Sequence, residues 1–216
     1  MRNHITFLHT SPVHVETFER LVKGMDPRVQ TTHIVAEDLL SDAQIVGIDD
    51  PNLVDRIHKA MTDAASGGSA IVVCTCSTIG GAAERTPTNG RFKALRIDRA
   101  MADRAVQSGP NILVVAALES TLQPTTDLIQ ESAAALNSVV EIKHLLVEGA
   151  WSHFMQGDRE AYIGTVVAAV RSAPTGADVV VLAQASMAVA AEQLHDLGVE
   201  VLSSPTLGVK YIVEQL

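Results

Sequence analysis

Aromatic side chains make up only 3% of this 216-residue chain. A core built on stacked rings is therefore excluded, and Ala, Val, Leu and Ile must supply the buried surface. Such a composition suits helices packed on strands better than an aromatic-rich β-sandwich. Positive charge is also scarce: 16 Lys and Arg stand against 25 Asp and Glu, a net charge of −9. The densest basic cluster (Arg91, Lys93, Arg96, Arg99) is too thin for the concentrated footprint that phosphate backbones require, so no nucleic-acid partner is expected. No apolar run approaches the roughly 20 residues of a membrane span, so no membrane partner is expected either. The opening MRNHITFLHTSP brings polar residues too early for a secretory signal. Low-complexity segments and Gly/Ser or Pro-rich linkers are missing as well.

Cysteine is nearly absent, and both copies lie in one tripeptide, Cys74-Thr75-Cys76. A disulfide between residues two apart would be badly strained. Zinc asks for about four ligands at recognisable spacings, and no second Cys pair exists, so no metal is expected. Two free thiols in an unstapled chain fit a reducing, cytoplasmic setting.

What is present is an alternation of short apolar runs with longer helical stretches. Strands are expected at 5–8, 31–35, 70–73, 94–97, 111–116, 140–146, 178–182 and 199–202. Helices are expected at 13–23, 51–66 (capped by Asp50 and stopped at Gly67-Gly68), 80–85, 100–108, 124–136, 150–156, 159–172 (capped by Asp158), 186–197 and 208–216. The inner strands are continuously apolar rather than alternating, which indicates parallel sheets covered on both faces.

The chain also repeats. Shifted by 108 residues, IVVCTCSTIGGAAE (71–84) lies on VVVLAQASMAVAAE (179–192), with Val72, Val73, Ala82, Ala83 and Glu84 on identical residues. Cys76 then meets Gln184 and Thr78 meets Ser186. The same shift lays 5–21 on 113–129 with little identity. The expected architecture is α/β: two pseudo-symmetric domains, each a Rossmann-like sandwich on a parallel sheet, with a cleft between them where strand C-termini converge. The expected domains are residues 1–100 plus 206–216, and 101–205.

Four strand-to-helix junctions collect small hydroxyl, thiol or amide side chains: His9-Thr10-Ser11-Pro12, Cys74-Thr75-Cys76-Ser77-Thr78, Glu119-Ser120-Thr121 and Gln184-Ala185-Ser186. Helix N-termini offer free N–H groups and a positive dipole end, a setting that holds carboxylates without arginine. The same setting stabilises a thiolate, which favours Cys76 over Cys74; Cys74 sits nearer the strand body and reads as packing. Arg96 and Asp98 read as a structural ion pair, and Glu148 as a residue just past a strand.

Taken in order, VVCTCSTIGGAAE, the N-terminal LHTSP, ALRIDRAMADRAV (94–106), VVAALESTLQPTTDLI (114–129), VVVLAQASMAVAAE and SSPTLGV (203–209) resemble the aspartate/glutamate/hydantoin racemase superfamily over nearly the whole chain. The resemblance implies two α/β domains with the active site between them, no metal, pyridoxal phosphate or nucleotide cofactor, and a homodimer or higher oligomer. It implies a small carboxylate or cyclic amide as substrate. Cys76 is then an acid/base or nucleophile. Thr10, Ser11, Ser77, Thr78, Ser120, Thr121, Ala185 and Ser186 are then substrate contacts.

The sequence departs from that pattern at one place. Family racemases use one Cys from each half, and here the second post is Gln184, whose carboxamide has no titratable proton near neutral pH. Another group then supplies the second proton, with water, Cys74, His9, His14 and His153 as candidates. Alternatively the reaction needs one acid only, as when a decarboxylase-type lyase protonates an enediolate. In the third case the chain binds a small acid without turnover. In each case Gln184 can donate its N–H₂ to a carboxylate or developing enolate oxygen.

Overall fold

The computed structural model describes residues 3–173 and 176–216. The chain divides into two compact units, Met1–Arg99 with Pro205–Leu216, and Ala100–Ser204. Each division falls one residue before the position expected from the sequence.

The first unit holds a parallel sheet of four strands: β1 (His4–His9), β2 (Gln30–Val35), β3 (Ile71–Cys74) and β4 (Lys93–Arg96), in the order β2-β1-β3-β4. The second unit repeats the pattern with β5 (Asn111–Ala116), β6 (Glu141–Leu146), β7 (Val179–Leu182) and β8 (Glu200–Ser203), in the order β6-β5-β7-β8. The order follows from the apolar content. Strands β3 (IVVC) and β7 (VVVL) are buried at every residue and take central places. Strands β2 and β6 carry polar residues at exposed positions and close one edge of each sheet.

Helices α1 (Val15–Met25), α2 (Glu37–Val46), α3 (Pro51–Ala64) and α4 (Ser77–Glu84) belong to the first unit. Helix α3 shows how sequence makes the element: Asp50 accepts from the Leu53 N–H, Pro51 takes the first helical position, and Leu53, Ile57, Met61 and Ala64 recur on the buried face. Each large apolar side chain on that face contributes about 1.5–3 kcal/mol on burial. These residues share a core with Leu8, Val72, Cys74 and Ile79. Helices α5 (Arg99–Ser108), α6 (Leu122–Ala135), α7 (Ala150–Met155), α8 (Arg159–Ser172) and α9 (Ala188–Gln193) follow, and α10 (Ser204–Val213) ends the chain. Asp158 caps α8 through the Ala161 N–H.

Several expected elements are corrected. The helix expected at 13–23 opens as a 3-10 turn, Pro12–His14, before α1 starts. Another 3-10 turn, Glu119–Thr121, precedes α6, which starts two residues before its expected opening at Pro124. The stretch expected as one helix at 186–197 is a 3-10 turn, Ala185–Met187, followed by the short α9. Helix α10 starts at Ser204 rather than 208, since Pro205 is tolerated in a first turn where its missing N–H has no partner to lose. No element was expected over 36–47, where α2 lies.

The uniform shift of 108 is also corrected. Leu8 pairs with Cys74, and Val115 pairs with Leu182. The first strands therefore correspond at 115 − 8 = 107, and the central ones at 182 − 74 = 108. The edge strands, Gln30 with His4 and Glu141 with Asn111, correspond at 141 − 30 = 111.

Candidate functional site

In the first unit the chemistry gathers at the carboxyl ends of β1 and β3. Strand β3 ends at Cys74, and two residues later Cys76 occupies the N-cap of α4 in an extended conformation (φ −98°, ψ 116°). The two thiols have opposite environments. Cys74 is fully buried, and its Sγ lies 3.6 Å from the Cys76 carbonyl oxygen. Burial, and then the neighbouring Cys76, push the Cys74 thiol far above its ordinary range. It stays protonated and sealed, which removes it as the second proton source considered from sequence. Cys76 is half-buried beside the same core.

The first turn of α4 is locked by a buried ion pair. Arg96 donates through Nε and Nη2 to the two oxygens of Asp98, at 2.7 and 3.0 Å, and Nη2 also lies 3.3 Å from the Ser77 carbonyl oxygen. The Ser77 hydroxyl bonds to the same Asp98 carboxylate. Burial opposes ionisation of Asp98, but the Arg96 charge outweighs it and holds the carboxyl below its usual value. Gly80 makes the arrangement possible: a Cβ there would stand 3.0 Å from Arg96 Nε. The Ser77 hydroxyl, expected to contact substrate, is thus tied into the ion pair that anchors the thiol's helix. Thr78 is buried in the same turn.

Strand β1 ends at His9, followed by the buried Thr10 and the half-buried Ser11, which takes an extended N-cap position without a side-chain cap bond. His9 is fully buried and has a partner on each ring nitrogen: Thr75 Oγ1 lies 2.8 Å from Nδ1, and His33 Nδ1 lies 2.9 Å from Nε2. His33 Nε2 in turn lies 3.1 Å from a Glu19 carboxylate oxygen, and Thr75 Oγ1 lies 3.3 Å from the Leu8 carbonyl oxygen. The rings of His9 and His33 stack with centroids 5.2 Å apart, and Phe7 stacks on His33 at 5.3 Å. Burial, then the charges of His33 and His14, bring the His9 pKa down to about 3. Burial lowers His14 to about 4. Both are neutral bases at neutral pH.

In the second unit Gln184 stands two residues past β7, the post that matches Cys76. Its Oε1 accepts from the buried Ala117 N–H at 2.7 Å. A backbone N–H can only donate, so the amide orientation is fixed. Nε2 is buried without a hydrogen-bond partner. The oxygen of this amide is occupied and its N–H₂ is not. Ser186 Oγ is held by Tyr162 Oη at 2.8 Å, and burial raises the Tyr162 hydroxyl to about 12. Ser120 Oγ is buried and unpartnered, Thr121 is buried, and Ala185 is half-buried in the 3-10 turn. His153 is half-buried on α7 and Glu148 is exposed.

Sequence reasoning singled out His9 and His14 but missed Glu19, His33 and Thr75. The available signal was the strand period: Thr31 and His33 share a face of β2, next to Phe7 and His9 on β1. Among the described residues no group of three or more His, Cys, Asp or Glu could hold a metal ion, and no helix is long and apolar enough to cross a membrane.

No family model and no curated protein matches the sequence. Solved structures do match the fold. A glutamate racemase from Bacillus anthracis aligns over 99% of this chain and 81% of its own, with a TM-score of 0.72 and 13% identity. The aspartate racemase of Picrophilus torridus aligns over 99% and 94%, with a TM-score of 0.66 and 15% identity. An allantoin racemase from Pseudomonas fluorescens aligns over 99% and 90%, with a TM-score of 0.60 and 18% identity. From end to end, then, this chain has the α/β fold of these glutamate, aspartate and allantoin racemases.

Proposed function

We propose that this chain is a cofactor-independent, racemase-like isomerase that acts at an activated carbon of a small acid or cyclic amide, with Cys76 as its acid/base. One observation carries this reading: of the two thiols, Cys74 is sealed and held protonated, while Cys76 keeps access to solvent at the end of a central strand. Ligands of open α/β sheets sit beyond the carboxyl ends of strands. Thr10, Ser11 and Thr78 in the first unit, and Ser120, Thr121, Ala185 and Ser186 in the second, stand at strand ends of this kind as candidate substrate contacts. The neighbours named for glutamate, aspartate and allantoin define the substrates to try first. A cytoplasmic setting and a homo-oligomeric state belong to the same proposal, and light scattering on the purified protein tests the second.

Gln184 supports one further reading. Its carboxamide brings no titratable proton, and its oxygen is already bonded to Ala117. A decarboxylase-type lyase asks for a single acid: carbon dioxide leaves, and one thiol protonates the enediolate. That chemistry makes no demand on the second post beyond a hydrogen-bond donor.

Incubation in deuterated water with aspartate, glutamate, allantoin, hydantoins and substituted malonates separates the readings by mass. Deuterium gain without mass loss, abolished in Cys76→Ala, supports the isomerase. Loss of carbon dioxide, abolished in the same variant, supports the lyase. Product formed equally well by Cys76→Ala refutes the role of Cys76. Binding without turnover, unaffected by the variant, identifies a small-acid binding protein instead.

A further inference from the structure

The chain Glu19–His33–His9–Thr75 has a direction. An ionised carboxylate only accepts, so His33 Nε2 carries a hydrogen and donates to Glu19. Neutral His33 then has a lone pair on Nδ1, and the 2.9 Å contact is made by His9 Nε2–H donating to it. Neutral His9 has its lone pair on Nδ1, which accepts from the Thr75 hydroxyl at 2.8 Å. In this register the contact from Thr75 Oγ1 to the Leu8 carbonyl, at 3.3 Å, is unused.

A second proton on His33 leaves its bond to Glu19 unchanged and reverses the two inner links. Nδ1 of the imidazolium must donate, so His9 Nε2 must accept. His9 resists a second proton of its own, because burial comes first in holding it down to about 3. It therefore keeps one hydrogen, now on Nδ1, and donates to Thr75 Oγ1. The Thr75 hydroxyl then turns to the Leu8 carbonyl oxygen. The balance is one proton gained from solvent. The added charge rests on His33 beside the Glu19 carboxylate, and His9 exchanges Nε2–H for Nδ1–H. We propose that His9 and His33 are positioning residues for the Cys76 loop, acting through Thr75, and that a proton on His33 switches this chain between its two registers.

The second unit supports a role tied to the thiol. At the offsets set by strand pairing, Glu19 and His33 correspond to Thr126 and His144 (19 + 107 and 33 + 111), and these two are bonded at 2.7 Å. The inner members His9 and Thr75 correspond to Ala116 and Ala183 (9 + 107 and 75 + 108). The outer pair thus exists in both units, and the inner pair exists only where a thiol follows. The other groups facing the chain are His14, whose ring lies 6.4 Å from that of His9, Phe18 of α1, Thr31 of β2, whose hydroxyl bonds to Glu19, and Lys23 of α1, whose charge also reaches Glu19.

The register is independent of the proposed activity, while its effect on Cys76 builds on that reading. The direct test is ring-nitrogen NMR of histidine-labelled protein followed as the pH is lowered. His9 is expected to change from the Nε2–H to the Nδ1–H tautomer with the same midpoint as His33 protonation. In His33→Gln the proposed proton acceptor is gone, and His9 is expected to keep one tautomer throughout. A His9 tautomer that ignores His33 protonation in the native protein, or still changes in His33→Gln, overturns the proposal. In parallel, the rate of Cys76 alkylation by iodoacetamide is expected to carry the same inflection and to lose it in His33→Gln. Identical alkylation profiles overturn the link to the thiol loop. Neither arm uses a substrate, so failure of either is distinguishable from failure of the deuterium experiment.

Discussion

Acid should loosen the first unit through His9, and the effect can be isolated. A base whose pKa falls on folding binds fewer protons in the native state than in the unfolded one, so stability rises with pH between the two values. For His9 those values are about 3 folded and 6.5 unfolded, with burial as the leading cause. Its contribution is therefore present above pH 6.5 and lost progressively on acidification towards 3. At pH 5 the unfolded state has gained about a 30-fold advantage from this one group, or about 2 kcal/mol. His14, lowered to about 4, works in the same direction, so total acid sensitivity does not single out His9. The comparison is with His9→Gln, whose amide can still donate to His33 and accept from Thr75 but does not titrate. Urea unfolding at pH 7 and pH 5 should be followed through amide NMR signals of Ile5 and Val72, because the single tryptophan, Trp151, lies in the other unit. The native protein should lose about 2 kcal/mol more than His9→Gln between the two pH values. Equal losses would refute the claim that His9 is buried as a neutral base.

Three further outcomes follow from the packing. Asp98→Asn leaves the Arg96 guanidinium buried without its counter-charge and should cost about 3–5 kcal/mol in urea unfolding, whereas Arg96→Met with Asp98→Leu should recover most of that loss. Gly208→Ala should destabilise the first unit by at least about 2 kcal/mol, because the new Cβ would stand 2.1 Å from the Ile97 backbone oxygen and the helix-propensity gain of about 1 kcal/mol is too small to offset it. Gln184→Leu strands the buried Ala117 N–H and should lower stability by about 1–3 kcal/mol, read from Trp151 fluorescence in the second unit.

What the sequence made legible is what depends on neighbours along the chain. The runs around Val72 and Val180 are unbroken, so the central strands stand out, and Asp50-Pro51 and Asp158 mark helix starts through contacts three residues away. Cys76 and Gln184 stood out for the same reason, as paired posts after those runs. Helix α2 was missed because its face is blurred: Ile45 and Val46 at its end are 80% and 54% exposed, so apolar spacing does not mark the buried side. The histidine chain was hidden for a different reason. His9 meets His33 across 24 residues and Thr75 across 66, contacts that only the strand order β2-β1-β3 creates.

The repeat explains why that omission mattered. Under a uniform shift of 108, Glu19 falls on Asp127 and His33 on Glu141, and the units look unrelated outside β3 and β7. Strand pairing shows instead that the second unit has four extra residues between its first and edge strands (111 − 107), and the first unit three extra between its edge and central strands (111 − 108), with matching parts on either side. With the offsets corrected, the hydroxyl–histidine pair of the second unit, Thr126 and His144, falls on the carboxylate–histidine pair of the first. Beside the exchange of Glu19 for Thr126, the units differ at the inner positions. His9, Thr75, Cys76 and Ser77 stand in one, and Ala116, Ala183, Gln184 and Ala185 in the other. An isolated exchange of Cys for Gln would read as a lost thiol. Four polar or reactive posts, three of them answered by alanine, fit the proposal that one unit supplies proton chemistry and the other hydrogen bonding. That division predicts where repair should fail. Gln184→Cys alone should not make the second unit's thiol respond to pH as Cys76 does, because Ala116 and Ala183 leave it no histidine–threonine chain. Parallel alkylation profiles for the two thiols in that variant would show that the inner residues are incidental.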